Sequence, residues 1–419
     1  MKISPIKIYA PLFIIVVLLQ LYLPSFKINF FIQLATLAFC IFIDYRNIAF
    51  TFGFLKYLIP LLLLLFIGFI GMVLHRYYTY NIIKDIVHFI KPITGIALGY
   101  IFFKRVNNFR HFLYIIVIAG IISSVIHFYI IAFLLRDISS VDGLRDLTRD
   151  NFLDLFALFF LIFTKKFQGQ RLFSNPLITY IAMFVLVISN VLYFSRTMII
   201  EAIILLFSIY GFTKITSRNL KFAGLFMISV FALYAFLYSI NINRGQRGLE
   251  GFLYKIKNAP EEIFQTKIDR DNHQELWDHW RGYEMKRGLS LMNDEPQSYI
   301  YGTGFGSLVN LKFYAPLTGE PKGIRYISEL HNGYIYILYK TGIIGILIYI
   351  FMLGRWYLYI HKENTLPNLL VSAIGIIYLI STVTITGIYN TRDIIIFILG
   401  GALYYAEKIN KNTLIKHPK

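Results

Sequence analysis

Any fold for this chain must first dispose of a succession of apolar runs. Stretches of roughly 16–24 residues recur from one end to the other, each long enough to cross about 30 Å of hydrocarbon as a helix. In lipid only helices and closed barrels satisfy their own backbone, and runs this long favour helices. Twelve can be placed: 8–24, 28–43, 57–74, 86–103, 112–135, 152–164, 176–194, 198–213, 222–240, 333–353, 366–388 and 391–406. Hydrophobic residues make up 57% of the 419 and charged residues only 15%, with mean hydropathy +0.60. A soluble domain carries about 25% charged residues. The expected fold is an all-α polytopic membrane protein with about twelve transmembrane helices. The sixth run is short. The fourth contains Lys91 and Pro92 and is therefore kinked, packed inside the bundle, or misplaced. The first has too long an apolar core for a cleaved signal and no small-x-small site after it, so a retained anchor is expected.

Basic residues set the orientation. Lys104, Arg105 and Arg110 share one short connection, Lys165, Lys166 and Arg171 a second, and Lys214, Arg218 and Lys221 a third. Arg355 and Lys362 follow, and the tail 407–419 holds Lys408, Lys411, Lys416 and Lys419. Twelve spans put all of these on one side with both termini, and the positive-inside rule makes that side cytoplasmic. The net charge of +18 is then a topology signal. The hydrophilic stretch 241–330 is neutral, with 12 Lys+Arg against 12 Asp+Glu, so no nucleic-acid footprint exists and no nucleic-acid partner is expected.

The division expected is 1–240 for the first nine spans, 241–330 for one large outward-facing loop, 331–406 for the last three spans, and the basic tail. No internal repeat is found. A transporter built from parallel halves would show one, with its long loop at the centre and on the cytoplasmic side. The single cysteine, Cys40, lies inside the second span, so no disulfide can brace the outer loop. It must be ordered by its own packing and by docking on the bundle. Its first half reads as helical: Pro260-Glu261-Glu262 suits a helix start, with proline and acids in the first turn. His273 to Leu291 carries a loose helical stripe through Leu276, Trp280 and Tyr283. Residues 311–329, with Pro316 and Pro321, are expected to be loop. A smaller external loop, 136–151, carries Arg136, Arg145 and Arg149.

Four elements gather at the outward face. Ser195-Arg196-Thr197 is a tight turn between two spans. An arginine there either binds phosphate through its planar guanidinium or snorkels and pairs with an acid such as Glu201. His279-Trp280-Arg281-Gly282-Tyr283-Glu284 places Arg281 and Glu284 on one helix face, the ordinary account of which is an i,i+3 surface ion pair. Gly302-Thr303-Gly304-Phe305-Gly306 could expose backbone N–H groups to a phosphate, or be a plain turn. His331-Asn332 stands at the head of the tenth span, where an imidazole can pass protons near neutral pH at the membrane boundary. Asp154, Glu201, Lys340 and Asp393 fall in or near spans and are costly unless paired or facing water. A pair between Lys340 and either Glu201 or Asp154 is the simplest arrangement.

The run His331-Asn332, nine residues, Gly342, two residues, Gly345 resembles the signature of the O-antigen ligase and O-antigen polymerase superfamily. Arg281 with Glu284, the 302–306 glycines and the Ser195-Arg196-Thr197 turn precede it in that family's order, and the layout extends the likeness over most of the chain. The resemblance implies a GT-C type glycosyltransferase of the bacterial inner membrane with its site facing the periplasm. Such an enzyme moves a glycan from undecaprenyl diphosphate to an acceptor hydroxyl with inversion, without metal or other cofactor. Carried over, His331 is the catalytic residue, Arg196 and Arg281 bind the diphosphate, and Asn332, Glu284, Gly302, Gly304 and Gly306 support them. The implied partners are the lipid-linked oligosaccharide, an acceptor glycan, the lipid bilayer and a chain-length regulator. No Asp/Glu/His cluster with metal-ligand spacing stands in the outer loop, in keeping with metal independence.

A ligase hands finished O-antigen to lipid A-core, whereas a polymerase hands the growing chain to another lipid-linked repeat unit. The aromatic- and isoleucine-rich spans and divergent loops favour the polymerase. A flippase-like transporter and a non-catalytic binding protein are the readings from other classes.

Overall fold

The computed structural model describes residues 5–23, 25–43, 52–134, 151–193, 195–243, 248–265, 268–269, 272–317 and 323–416. Nearly all of the small loop 136–151, with its three arginines, lies outside the described residues, as does Pro321.

Each of the twelve apolar runs contains a helix among its described residues. The first nine form α1 (Pro5–Tyr22), α2 (Phe26–Ile43), α3 (Phe52–Val73), α4 (Thr79–Val106), α5 (Phe109–Tyr129), α6 (Phe152–Gln168), α7 (Pro176–Leu192), α8 (Arg196–Ile209) and α9 (Ser217–Ser239). Local chemistry sets their ends. Asn108, Asn175, Ser195 and Thr216 each accept a backbone N–H of the first turn, the commonest way to satisfy a helix's orphan donors. Gly169 closes α6 in the left-handed conformation at φ 69°. The outer segment follows, with α10 (Gly248–Lys257), α11 (Ala259–Phe264), α12 (His273–Asp278), α13 (Trp280–Asp294), α14 (Ser298–Tyr301), β1 (Val309–Ala315) and β2 (Ile324–Ile327). The chain then re-enters the bundle as α15 (Gly333–Tyr357), α16 (Leu366–Thr384) and α17 (Ile395–Lys416). Among the described residues, seven helices, α2 to α5, α9, α15 and α16, are long and apolar enough to cross a membrane, and Ile6–Tyr22 and Pro176–Leu192 are shorter apolar helices. The chain is thus a largely helical, multi-pass type of protein.

Helix α4 is packed inside the bundle, which answers the question raised by Lys91 and Pro92. It is 78% buried along its apolar window and lies against α17, α2 and α3. Gly99 and Gly400 permit the closest approach of α4 and α17, since a Cβ on either would meet the facing backbone. Lys91 Nζ donates to the Asn390 carbonyl at 3.0 Å and to the Thr391 carbonyl, so its buried ammonium is solvated by the protein. Helix α9 is the opposite case: only 6% of its window is buried, as suits a helix whose apolar side chains face lipid.

The expected partner of Lys340 is corrected. Its Nζ meets Asp85 Oδ2 at 2.5 Å, with both side chains fully buried. Asp154 instead accepts from Ser124 at 2.8 Å and Ser189 at 2.6 Å, and Asp393 accepts from Tyr378 at 2.5 Å. Asp85 escaped notice because the expected fourth span began one residue after it, whereas α4 starts at Thr79.

The outer segment is not all helix and loop. Residues 309–327 contain a two-stranded antiparallel sheet, with Val309 paired to Ile327 and Asn310 to Tyr326. Its alternation puts Val309, Leu311 and Ala315 inside, a period-2 pattern that the flanking prolines masked. Leu311 and Ala315 join Leu276, Trp280 and Tyr283 in a small separate core. The 273–291 stripe is likewise two helices, broken at His279.

Candidate active site

Helix α15 is interrupted at Gly342, whose φ of 68° and ψ of −171° belong to no helix. A Cβ there would strike the Ile300 carbonyl, so glycine is required both for conformation and for space. The break frees carbonyls in the preceding turn. The glycine-rich stretch supplies their donors: Thr303 N–H bonds Tyr339 O at 2.7 Å and Gly304 N–H bonds Lys340 O at 3.1 Å. Irregular backbone within a bundle is tolerated where protein covers it, and here residues 302–307 are buried throughout.

That geometry decides between the two accounts of the glycines. Phe305 N–H is taken by Gly68 O at 3.2 Å and Gly306 N–H by Asp85 Oδ2 at 2.7 Å. With Thr303 and Gly304 also engaged, no N–H from 303 to 306 points at an external phosphate. Gly302, Gly304 and Gly306 have φ of 82°, 80° and 93°, and Gly304 lies where a Cβ would meet the Gly71–Met72 backbone. These glycines wedge the outer segment against the broken helix. The Lys340–Asp85 pair locks the wedge, because Lys340 Nζ also donates to Ser307 O at 2.7 Å and Ser328 Oγ donates to Asp85 Oδ1.

His331 sits two residues before α15 and is anchored by Glu284 of α13. The Glu284 carboxylate is buried and receives three donors: Trp280 Nε1–H at 2.7 Å, the His331 backbone N–H at 2.8 Å and His331 Nδ1 at 2.9 Å. A carboxylate only accepts, so the ring nitrogen facing it carries a proton, and in the neutral imidazole Nε2 is the acceptor. The imidazole is half-exposed at 52% of its side-chain surface, so Nε2 can be approached from outside the bundle. Asn332 caps α15 by accepting Ile335 N–H at 3.2 Å. Its place beside the histidine has this structural use.

Arg281 and Glu284, one helical turn apart, are not the surface ion pair that their spacing suggested. Glu284 is taken by His331, while Arg281 Nη1 meets Glu262 Oε1 at 2.9 Å. Arg196 Nη2 meets the other oxygen of the same carboxylate, Glu262 Oε2, also at 2.9 Å, and its Nη1 donates to Lys255 O at 2.5 Å. Ser195, as the cap of α8, fixes Arg196 as the first helical residue. Both guanidiniums keep roughly a quarter of their surface open, 24% and 22%. The structure therefore brings Arg196 and Arg281 together from distant parts of the chain, and α13 links them to His331.

Sequence reasoning missed two participants. Glu262 was read only as a first-turn acid of α11, which it is, yet the same position aims it between two arginines. On the other flank of His331, Glu329 holds Lys84 at 3.1 Å and the buried His88 at 3.0 Å. Burial alone would raise the Glu329 carboxyl, but the hydrogen bond and charge of His88 with those of Lys84 outweigh it and bring the value down to about 2.

Residues 181–350 match the protein-family model described as O-antigen ligase. No curated protein and no solved structure matches the chain. The family match supports an O-antigen ligase or polymerase type of function and a glycosyltransferase-like enzyme. The matched residues 181–350 hold both arginines, Glu284 and His331, and the match supports a likeness to the O-antigen ligase and polymerase superfamily over that part of the chain.

Proposed function

We propose that this protein is an inner-membrane glycosyltransferase that moves a glycan from undecaprenyl diphosphate to an acceptor hydroxyl, and that the acceptor is a further lipid-linked repeat unit. The reading makes it a surface-polysaccharide polymerase, with about twelve spans, both termini cytoplasmic and its site on the periplasmic face. One observation carries the chemistry. Helix α13 presents Arg281 toward an anion position shared with Arg196 and, one turn on, presents Glu284 to orient His331.

The acceptor O–H gives its proton to His331 Nε2 while the oxygen attacks the anomeric carbon from the face opposite the carrier. The anomeric C–O bond breaks, and its electron pair leaves on the diphosphate. Glu284 holds the imidazole by Nδ1 and stabilises the imidazolium as it forms. Arg196 and Arg281 meet the charge that develops on the diphosphate, where preformed donors are worth most. Glu262 stands in for the phosphate oxygens until the donor displaces it. Inversion and independence from metal belong to this proposal, as does a chain-length regulator as partner.

Lipopolysaccharide from a deletion strain tests the acceptor. Core bearing a single repeat unit is expected. Bare core would instead assign the ligase reaction, a reading favoured by the description of the matching family. Transport of a lipid-linked glycan that survives replacement of both Arg196 and His331 by alanine would move the protein to the flippase class.

A further inference from the structure

The end of the bundle opposite His331 carries a second polar constellation that glycosyl transfer does not use. Helix α3 runs antiparallel to α15. Its C-terminal part, at Gly68 and Gly71, packs on the 302–305 wedge, and its N-terminal part reaches the far end of α15. Arg355 lies 22 residues beyond Gly333, roughly 30 Å away along a helix. There a cavity of about 230 Å³ opens between the two helices, walled by Tyr57, Trp356 and Tyr359 and rimmed by Lys56, Arg355 and Lys362.

Among the described residues, none of the three cations makes an ion pair with a carboxylate. Glu407 is engaged by Lys411 at 2.7 Å and Tyr100 at 3.1 Å, and Glu363, next to Lys362 in the chain, makes no ion pair with it. Aromatic faces hold the ammonium groups in place: Lys362 stands 3.6 Å from the Tyr359 ring centre and Lys56 5.1 Å from that of Tyr57. Burial lowers the Lys362 ammonium, and the charges of Lys56 and Arg355 lower it further, as crowding of three cations does. A volume below the ~300–1,000 Å³ of a drug-sized site suits a small anionic headgroup.

We propose that this pocket binds a phosphate-bearing anion, drawn either from an anionic phospholipid or from soluble phosphate. The three cations meet its charge, and Tyr57, Trp356 and Tyr359 line the ester side. The proposal does not depend on the glycosyltransferase reading.

The test uses the full-length protein in mild detergent, offered equal amounts of phosphatidylglycerol and phosphatidylcholine and examined by native mass spectrometry. Phosphatidylglycerol should be retained about tenfold over phosphatidylcholine, since each basic residue at a lipid surface favours anionic headgroups. The variant Lys56→Gln/Arg355→Gln/Lys362→Gln should retain both equally, and Lys56→Arg/Lys362→Arg should keep the preference. If the triple variant does not fold, Lys56→Gln/Lys362→Gln replaces it in the same comparison. A phosphatidylglycerol preference as large in the charge-removed protein as in wild type overturns the proposal. Thermal stabilisation by inorganic phosphate in wild type alone, with no lipid preference, keeps the anion site and assigns it to soluble phosphate. Neither lipid preference nor phosphate stabilisation also overturns it.

Discussion

Arg196 and Arg281 grip opposite oxygens of one carboxylate, that of Glu262, each at 2.9 Å. Two guanidiniums fixed around one anionic group are arranged for an anion before any substrate arrives. Arg196→Ala and Arg281→Ala should each lower glycan transfer by about 10²–10³-fold, the usual consequence of removing one preorganised donor from a developing charge. Membrane insertion should be unchanged. Wild-type-like lipopolysaccharide ladders from both variants would end the assignment.

In the proposed function, Glu262 competes with the donor for those arginines. Glu262→Gln should lower the apparent KM for the lipid-linked donor several-fold and leave kcat within about threefold, since uniform binding shifts KM without changing the barrier from the bound state. A raised KM would mean that Glu262 is needed to aim the guanidiniums.

His331→Ala should reduce transfer by about 10²–10⁴-fold, the range for a positioned base. Glu284→Gln keeps the shape but offers an amide where His331 Nδ1–H now meets a carboxylate at 2.9 Å. It should lose on the order of 10²-fold in kcat, with donor KM little changed and an altered pH–rate profile. An unaltered profile and rate in Glu284→Gln would leave His331 without its orienting partner.

Lys340 and Asp85 are both fully buried, so removing one strands the other. Lys340→Met should destabilise the protein by about 3–5 kcal/mol, seen as a lowered melting temperature in detergent. Pairing it with Asp85→Leu should restore part of the loss. Full restoration is not expected, because Ser328 and the Gly306 N–H also rely on Asp85. A double variant no more stable than Lys340→Met would refute the pair's role.

Glu329 gives a pH dependence with a definite sign. Its carboxyl is held down to about 2, below the ordinary value of about 4.5, so its contribution is complete above roughly pH 4.5 and disappears as pH falls toward 2. Glu329→Gln should therefore lower the melting temperature at pH 7, and the gap to wild type should narrow only below about pH 4.5. A gap that stays constant down to pH 3 would contradict the assignment to ionised Glu329.

The sequence by itself determined the helical bundle. Apolar runs at membrane length leave the backbone only one economical solution, and each of the twelve contains a helix for that reason. It also singled out His331, Arg196 and Arg281 as candidates, from their place at the expected outward face and the resemblance to a known family. Side-chain pairing was another matter. The i,i+3 spacing of Arg281 and Glu284 suggested that they bond each other, yet the fold gives Glu284 to His331 and Arg281 to Glu262. Lys340 took Asp85 of α4 rather than Asp154 or Glu201, and the glycine N–H groups went to a helix broken at Gly342. Those choices rest on contacts between residues far apart in the chain. Periodicity and local spacing carry no information about such contacts, and only packing the helices together brought the partners within bonding distance.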